Sequence, residues 1–216
     1  MKRGMTALIV VVASVAFADE KSAPTPTKEP ELRNELLRRN GAGPRRAKTL
    51  MRWTSEHGND LTALSQEQKA EFEELAAKAE SVDSENTAWL KAIAEKHGWP
   101  TITLVGKDGA SAAWLLVQHA DRDHKFQRHC LDLMAALPKN EVSQSNFAYL
   151  TDRVLLAEGK KQLYGSQYEL VDGKLKSRPI ENEANVDKRR SEVGLMPLAE
   201  YLKFAEQQVL SSRDAK

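Results

Sequence analysis

The chain has 216 residues, with 32 Lys and Arg against 31 Asp and Glu and a formal net charge of +1 at pH 7. A balance so close to neutral excludes the concentrated positive charge of a nucleic-acid footprint. A single cysteine, Cys130, excludes an internal disulfide, and a 41% hydrophobic content over this length is enough for one sizeable core.

Residues 1–18 read as a secretory signal peptide. Lys2 and Arg3 precede an apolar run from Ala7 to Phe17, and Ala16-Phe17-Ala18 offers a small-x-small cleavage site before Asp19. The run is too short and wrongly flanked for a stable membrane span. The expected mature protein begins at Asp19, is periplasmic or secreted, and has no membrane contact after cleavage. Residues 19–30 contain Pro24, Pro26 and Pro30 and no core-forming residue, the composition of an extended or disordered linker.

Residues 31–210 are expected to form a single helical domain. Leu32, Leu36 and Leu37 mark a short amphipathic helix stopped by Asn40-Gly41. Pro44 opens another, with Ala47, Leu50, Met51 and Thr54 at helical spacing and Arg45, Arg46, Lys48 and Arg52 on its other sides, a solvated face or an anion site. Gly58-Asn59-Asp60 ends it. Ser65-Gln66-Glu67-Gln68 matches a capping box and starts a helical pattern reaching His97. Phe72, Leu75, Ala79, Val82, Asn86, Leu90 and Ile93 share one face. If this helix is continuous, Asn86 points at the core; if it breaks near 81–84, Asp83 or Ser84 caps a second segment. Gly98-Trp99-Pro100 is its end. Thr101 to Val105 reads as a short extended piece, closed by Gly106 and Gly109 in an ordinary turn.

Ala110 to Leu137 reads as one long helix. At roughly 100° per residue, Ala112, Leu115, Leu116, His119, Asp123, Phe126, Cys130, Leu133 and Leu137 fall on one side. His119 therefore sits mid-stripe, with Trp114 and Val117 making the first half apolar all round. An imidazole there needs partners, since an unpaired buried polar group costs ~1–3 kcal/mol. Asp123, one turn on, is placed to hold a ring nitrogen, and Gln118 lies on the flank. Histidine's ordinary pKa of about 6.5 suits general acid–base work; a satisfied core histidine fits the same stripe. Cys130, on that stripe, reads as a small buried hydrophobe.

Ser143 caps a helix through Ala157 that is apolar on both faces, so its charged pair Asp152 and Arg153 should be buried and engaged. Their partners are local groups, His119, or a ligand carboxylate gripped by the arginine fork. Gln162, Tyr164 and Gln167 lie on a bend after Gly159, where they either orient a ligand or satisfy buried backbone. Tyr168–Val171 and Lys174–Arg178 flank Asp172-Gly173, a hairpin turn pair, and Pro179 closes it. Asn185 to Val193 is a short polar helix stopped by Gly194. Pro197 opens a last helix with Leu198, Tyr201, Leu202, Ala205 and Val209 apolar, fraying from Ser211. The fold class is mainly α, a single helical bundle with one small β-hairpin near residues 168–178. His124 and His129 do not share a face, and no metal site or cofactor is expected.

Val82-Asp83, Asn86-Thr87-Ala88-Trp89-Leu90, Gly98-Trp99-Pro100, Ala113 to Ala120, Asp152-Arg153, the Gln162-x-Tyr-Gly-x-Gln167 run and Val193-Gly194-Leu195-x-Pro197-Leu198 together resemble a bacterial family of unknown function. The resemblance covers roughly Leu32 to Leu202 and implies a shared helical fold without an established activity. By that resemblance Ser166 stands where relatives carry threonine, and Gly41-Ala42 where they tend to carry Asp-Gln. If that acidic residue is chemical, this chain is a binding or degenerate member.

Two functions fit these residues. One is a hydrolase or transferase acting on a small-molecule or cell-envelope ligand. There His119 is general acid or base, Asp123 or Asp152 its orienter, and Arg153 an anion clamp; Gln118, Gln162, Tyr164, Gln167 and Asn86 position the substrate. Ser166 is the only nearby nucleophile and its spacing does not recommend it. The other is a non-enzymatic envelope binding module using the same pocket.

Overall fold

The structure, a computed structural model, describes residues 27–58, 62–171 and 174–214. The signal peptide, linker residues 19–26, the Asp172-Gly173 turn and the side chains of Arg45, Arg46 and Lys48 lie outside the described residues.

Helix α1 is Pro30–His57. Pro30 occupies its first turn, where a missing N–H costs nothing, and the Glu29 N–H donates to the Leu104 carbonyl at 2.9 Å. The stop expected at Asn40-Gly41 and the restart at Pro44 do not occur, since one helix runs through both. An interior proline costs about 3 kcal/mol and a glycine about 1. Burial of Leu32 and Leu36 before these residues and of Trp53 after them outweighs that, at about 1.5–3 kcal/mol for each large apolar side chain.

Helix α2, Gln66–His97, starts on the expected capping box, with both reciprocal hydrogen bonds between Ser65 and Gln68 formed. It continues through 81–84, and Asn86 is buried with Leu90 and Ala94. Helix α3, Ile102–Gln118, begins earlier than the sequence suggested. Thr101 caps it by accepting the Leu104 N–H at 3.2 Å, so residues 102–105 are a helical turn and not an extended piece. Gly106 then bends the path with φ 77° and ψ 167°. A side chain there would meet Thr27 Cγ2 at 3.2 Å, and one at Gly109 would meet Arg33 Cγ at 3.3 Å, so both glycines let α3 approach the start of α1.

The single long helix expected over Ala110–Leu137 is two helices. Helix α3 ends at Gln118 with His119 as its C-cap, and α4 is His124–Ala135. Asp123 causes the restart, its carboxylate accepting the Phe126 N–H at 2.9 Å. The apolar stripe ran on regardless because α3 and α4 bury their faces in one core, which contains Ala112, Leu116, Phe126 and Cys130 together. Helix α5 is Gln144–Ala157, capped by Ser143 as expected. Strands β1, Tyr168–Val171, and β2, Lys174–Ser177, form an antiparallel hairpin with Tyr168 opposite Ser177. Helix α6 is Val186–Glu192, and α7, Leu198–Asp214, continues past the Ser211 where fraying was expected.

The protein is thus mainly α-helical with one two-stranded hairpin. Helix α3 is central, packing on α1, α2, α4 and α5. A smaller cluster of Ile180, Val186, Leu198 and Tyr201 joins the main core through Tyr149 of α5. Among the described residues no helix is long and apolar enough to cross a membrane.

Candidate functional site

Helices α3 and α5 meet along a seam on which polar residues repeat one turn apart. Trp114 packs against Tyr149 with ring centroids 5.9 Å apart. Four residues further along each helix, Arg153 Nε donates to Gln118 Oε1 at 2.8 Å. That spacing puts each pair on one helical face, which is why two residues in an apolar stretch point at each other and not at solvent. Arg153 also pairs through Nη1 with Asp121 Oδ1, on the connection between α3 and α4. Asp121 Oδ1 lies 3.5 Å from Gln127 Nε2, and Gln127, fully buried, donates from the same nitrogen to the Val117 carbonyl at 3.1 Å.

The cluster leaves donors over. Gln118 is 2% exposed and Arg153 9%, yet Gln118 Nε2 and Arg153 Nη2 meet no acceptor among the described residues. Trp114 Nε1 and Arg190 Nη2 are unpaired in the same sense. Arg190 reaches the seam through Tyr201, on whose ring its guanidinium stacks at 4.8 Å, with Tyr201 6.2 Å from Tyr149. The four groups named here are all N–H donors. Leaving each unpaired in a dry interior costs ~1–3 kcal/mol.

The other candidates are placed elsewhere. Asp152, fully buried, faces away from Arg153 and accepts the backbone N–H groups of Leu163 at 2.7 Å, Tyr164 at 2.9 Å and Ser166 at 2.8 Å. Burial raises its carboxyl above the ordinary range, and these three donors oppose that rise. Gln162 is spent on backbone as well. Its Nε2 donates to the carbonyls of Gln167 at 3.0 Å and Arg178 at 2.7 Å, and its Oε1 accepts the Gln167 N–H at 2.9 Å. Arg190 Nη1 donates to the Tyr164 carbonyl at 2.6 Å, and the Tyr201 hydroxyl to the Ser166 carbonyl at 2.9 Å. Gly165, at φ 68°, sits where a Cβ would lie 2.8 Å from Ile180 and 2.9 Å from Leu198. The glutamine bend is therefore a clamped piece of backbone. The Tyr164 side chain is half-buried beside it, and Gln167 Nε2 reaches Ser166 Oγ at 3.3 Å.

Asp123 does not hold His119. Besides capping α4 it pairs with Lys91, which keeps its carboxyl below the ordinary range. His119 is half-buried at the end of α3, next in sequence to Gln118, and its ring makes no hydrogen bond to a described residue. Asn86 looks toward α1, accepting from Arg39 Nη1 at 3.1 Å, and Arg39 stacks 4.4 Å over Trp89. Cys130 is fully buried and its thiol is pushed up to about 12 by burial. Among the described residues no group of three or more His, Cys, Asp or Glu side chains is placed to hold a metal ion.

Sequence reasoning missed Asp121, Gln127 and Arg190. Asp121 falls inside the Ala110–Leu137 stretch that reads as one helix, where periodicity puts it off the apolar stripe. Gln127 and Arg190 carried no motif, and only their full burial singles them out. No curated protein and no solved structure matches the chain. Residues 62–210, which hold the whole α3–α5 seam and the clamped bend, match a family of unknown function, DUF6624, and the chain belongs to that family.

Proposed function

We propose that this chain is an exported binding domain that holds a small, acceptor-rich ligand of the cell envelope at the Gln118–Arg153 end of the α3–α5 seam. One observation carries this reading: two buried donors, Gln118 Nε2 and Arg153 Nη2, sit on bonded neighbours with no acceptor of their own. Both nitrogens are closed to solvent in this structure, so a ligand carbonyl, carboxylate or ether oxygen reaches them where the seam parts. The basic and apolar N-terminus ending in Ala16-Phe17-Ala18 supports export. Against catalysis stands the deployment of the two carboxylates that could orient His119, Asp123 being tied to Lys91 and α4 and Asp152 to backbone.

The test is titration calorimetry of the mature protein against N-acetylglucosamine, N-acetylated dipeptides and citrate. Arg153→Met and Gln118→Ala should each weaken whichever ligand binds by about tenfold or more, the equivalent of 1.4 kcal/mol. His119→Gln should leave affinity within a factor of about two. No saturable binding to any of these, or binding indifferent to Arg153→Met, would sink the proposal.

A second reading, a hydrolase or transferase with His119 as general acid or base, rests on the half-buried ring beside Gln118 that no described residue engages. It predicts that one of the same compounds is consumed, and that His119→Gln abolishes the consumption while binding persists.

A further inference from the structure

The Gln118–Arg153 end of the seam is closed by a short stretch of chain. Leu115 and His119 of α3 and Tyr149 of α5 are half-buried, so the seam lies just beneath the surface. At this end the backbone leaves α3 and crosses to α4 over residues 119–123. The far side of the crossing is pinned, since Asp123 caps α4 and pairs with Lys91. Arg122 reaches Glu80 from a side chain that is 80% exposed, a contact that solvent screens.

Asp121 makes the contact that holds this crossing down. Among the described residues it is the one carboxylate paired with Arg153, and its side chain is 56% exposed where that of Arg153 is 9%. A buried cation thus takes its counter-ion from the surface. Opposing this, Gln118 Nε2, Arg153 Nη2 and Trp114 Nε1 have no acceptor while the seam is closed, and each gains water if it opens. Ion pairing and apolar burial favour the closed arrangement, and three dry donors along one seam oppose it.

Resting on the binding reading above, we infer that residues 119–122 are a strap over the Gln118 and Arg153 donors, with the Asp121–Arg153 pair as its clasp. Ligand reaches the donors from the lifted state and is retained as the Asp121–Arg153 pair re-forms beside it. The strap is a local opening that leaves the rest of the core folded.

Solvent exchange of the Gln118 side-chain amide is followed by ¹⁵N NMR in the mature protein at pH 7, beside the backbone amide of Leu150, a fully buried α5 residue. Gln118 should be protected about tenfold less than Leu150, or weaker still. Its rate should be indifferent to urea up to about 1 M, because lifting the strap exposes little surface. Asp121→Asn keeps the size, removes the charge and should raise the Gln118 rate about tenfold. In an Arg153→Met background the same change should alter the rate by less than about twofold, the clasp being gone already. Gln118 exchanging as slowly as Leu150, with the same urea dependence, overturns the inference. So does an Asp121→Asn effect of equal size in both backgrounds. The readout uses no ligand, so blank calorimetric titrations remove the binding reading while faster Gln118 exchange in Asp121→Asn still supports the strap.

Discussion

Asp152 and Arg153 show how neighbours in sequence come to serve different partners. Asp152 is a fully buried carboxylate beside an arginine in sequence, yet consecutive helical positions lie about 100° apart. Arg153 turns to α3, while Asp152 gathers three backbone N–H groups of the 162–167 bend. Asp152→Ala should therefore strand three donors, the Ser166 N–H buried and those of Leu163 and Tyr164 part-buried, at ~1–3 kcal/mol each. We expect a loss of at least 3 kcal/mol in urea unfolding, together with faster amide exchange at Leu163, Tyr164 and Ser166. A variant that kept those amides protected would show that the bend is held by something other than this carboxylate.

At the scale of elements, the break between α3 and α4 decides what can form a site. Asp123 ends the possibility of one long helix by capping α4, and the resulting connection carries Asp121 out to meet Arg153. Asp123 also ties α4 back to α2 through Lys91. Asp123→Ala should cost about 1–2 kcal/mol, roughly 1 from the cap and up to about 1 from the exposed pair. Asp123→Asn keeps a good cap and should lose only the smaller part. Thermal unfolding of the two variants side by side checks the ordering. The affinity of a ligand at Arg153 should also weaken in Asp123→Ala more than in Asp123→Asn, because the loop that places Asp121 loosens.

Across the whole molecule, ion pairs tie separate elements together. Arg33 of α1 meets Asp108 of α3, Lys91 of α2 meets Asp123 before α4, and Arg128 of α4 meets Glu158 after α5. Each carboxylate is held below its ordinary range, Asp108 chiefly by Arg33, Asp123 by Lys91, and Glu158 by Lys160 and then Arg128. Within α1, Arg38 and then Arg39 hold Glu35 down to about 2. A carboxylate lowered in the folded state contributes stability that is complete above its unfolded pKa and is lost as the pH falls through the folded value. The melting temperature should therefore hold steady from neutrality to about pH 5 and fall below about pH 4. Asp152 has the opposite sign: burial raises its pKa, so its contribution is fully present below the unfolded value and is lost as pH rises through the folded one. Each tie is partly exposed and worth ~0.2–1 kcal/mol, so 0.5 M salt should shallow the acid slope without unfolding the protein at pH 7. A melting temperature flat down to pH 2.5 would remove these ties from the account of stability.

Much of the architecture was legible along the chain, because it rests on local rules. The Ser65 capping box, the Ser143 cap, the 3.6-residue periodicity of α2 and α5 and the hairpin strands are each written within a few residues. The same periodicity put Asp152, Arg153 and Asn86 inside, and all three are buried. What it could not settle was continuity and partnership. Gly41 and Pro44 read as a break, but α1 runs through them because burial at both ends outweighs their local cost. The stripe from Ala112 to Leu137 read as one helix, but two helices facing one core produce the same stripe. Periodicity says which face of a helix is inward; it does not say which residue of another helix waits there. Only tertiary packing joined Gln118 to Arg153 between α3 and α5, sent Asp123 to Lys91 of α2, spent Asp152 and Gln162 on backbone, and left His119 half-exposed at a helix end. The Gln118–Arg153 and Lys91–Asp123 pairings join residues 35 and 32 positions apart, and even Asp152 and Gln162 reach carbonyls or N–H groups up to 14 and 16 positions away, beyond the reach of any local pattern.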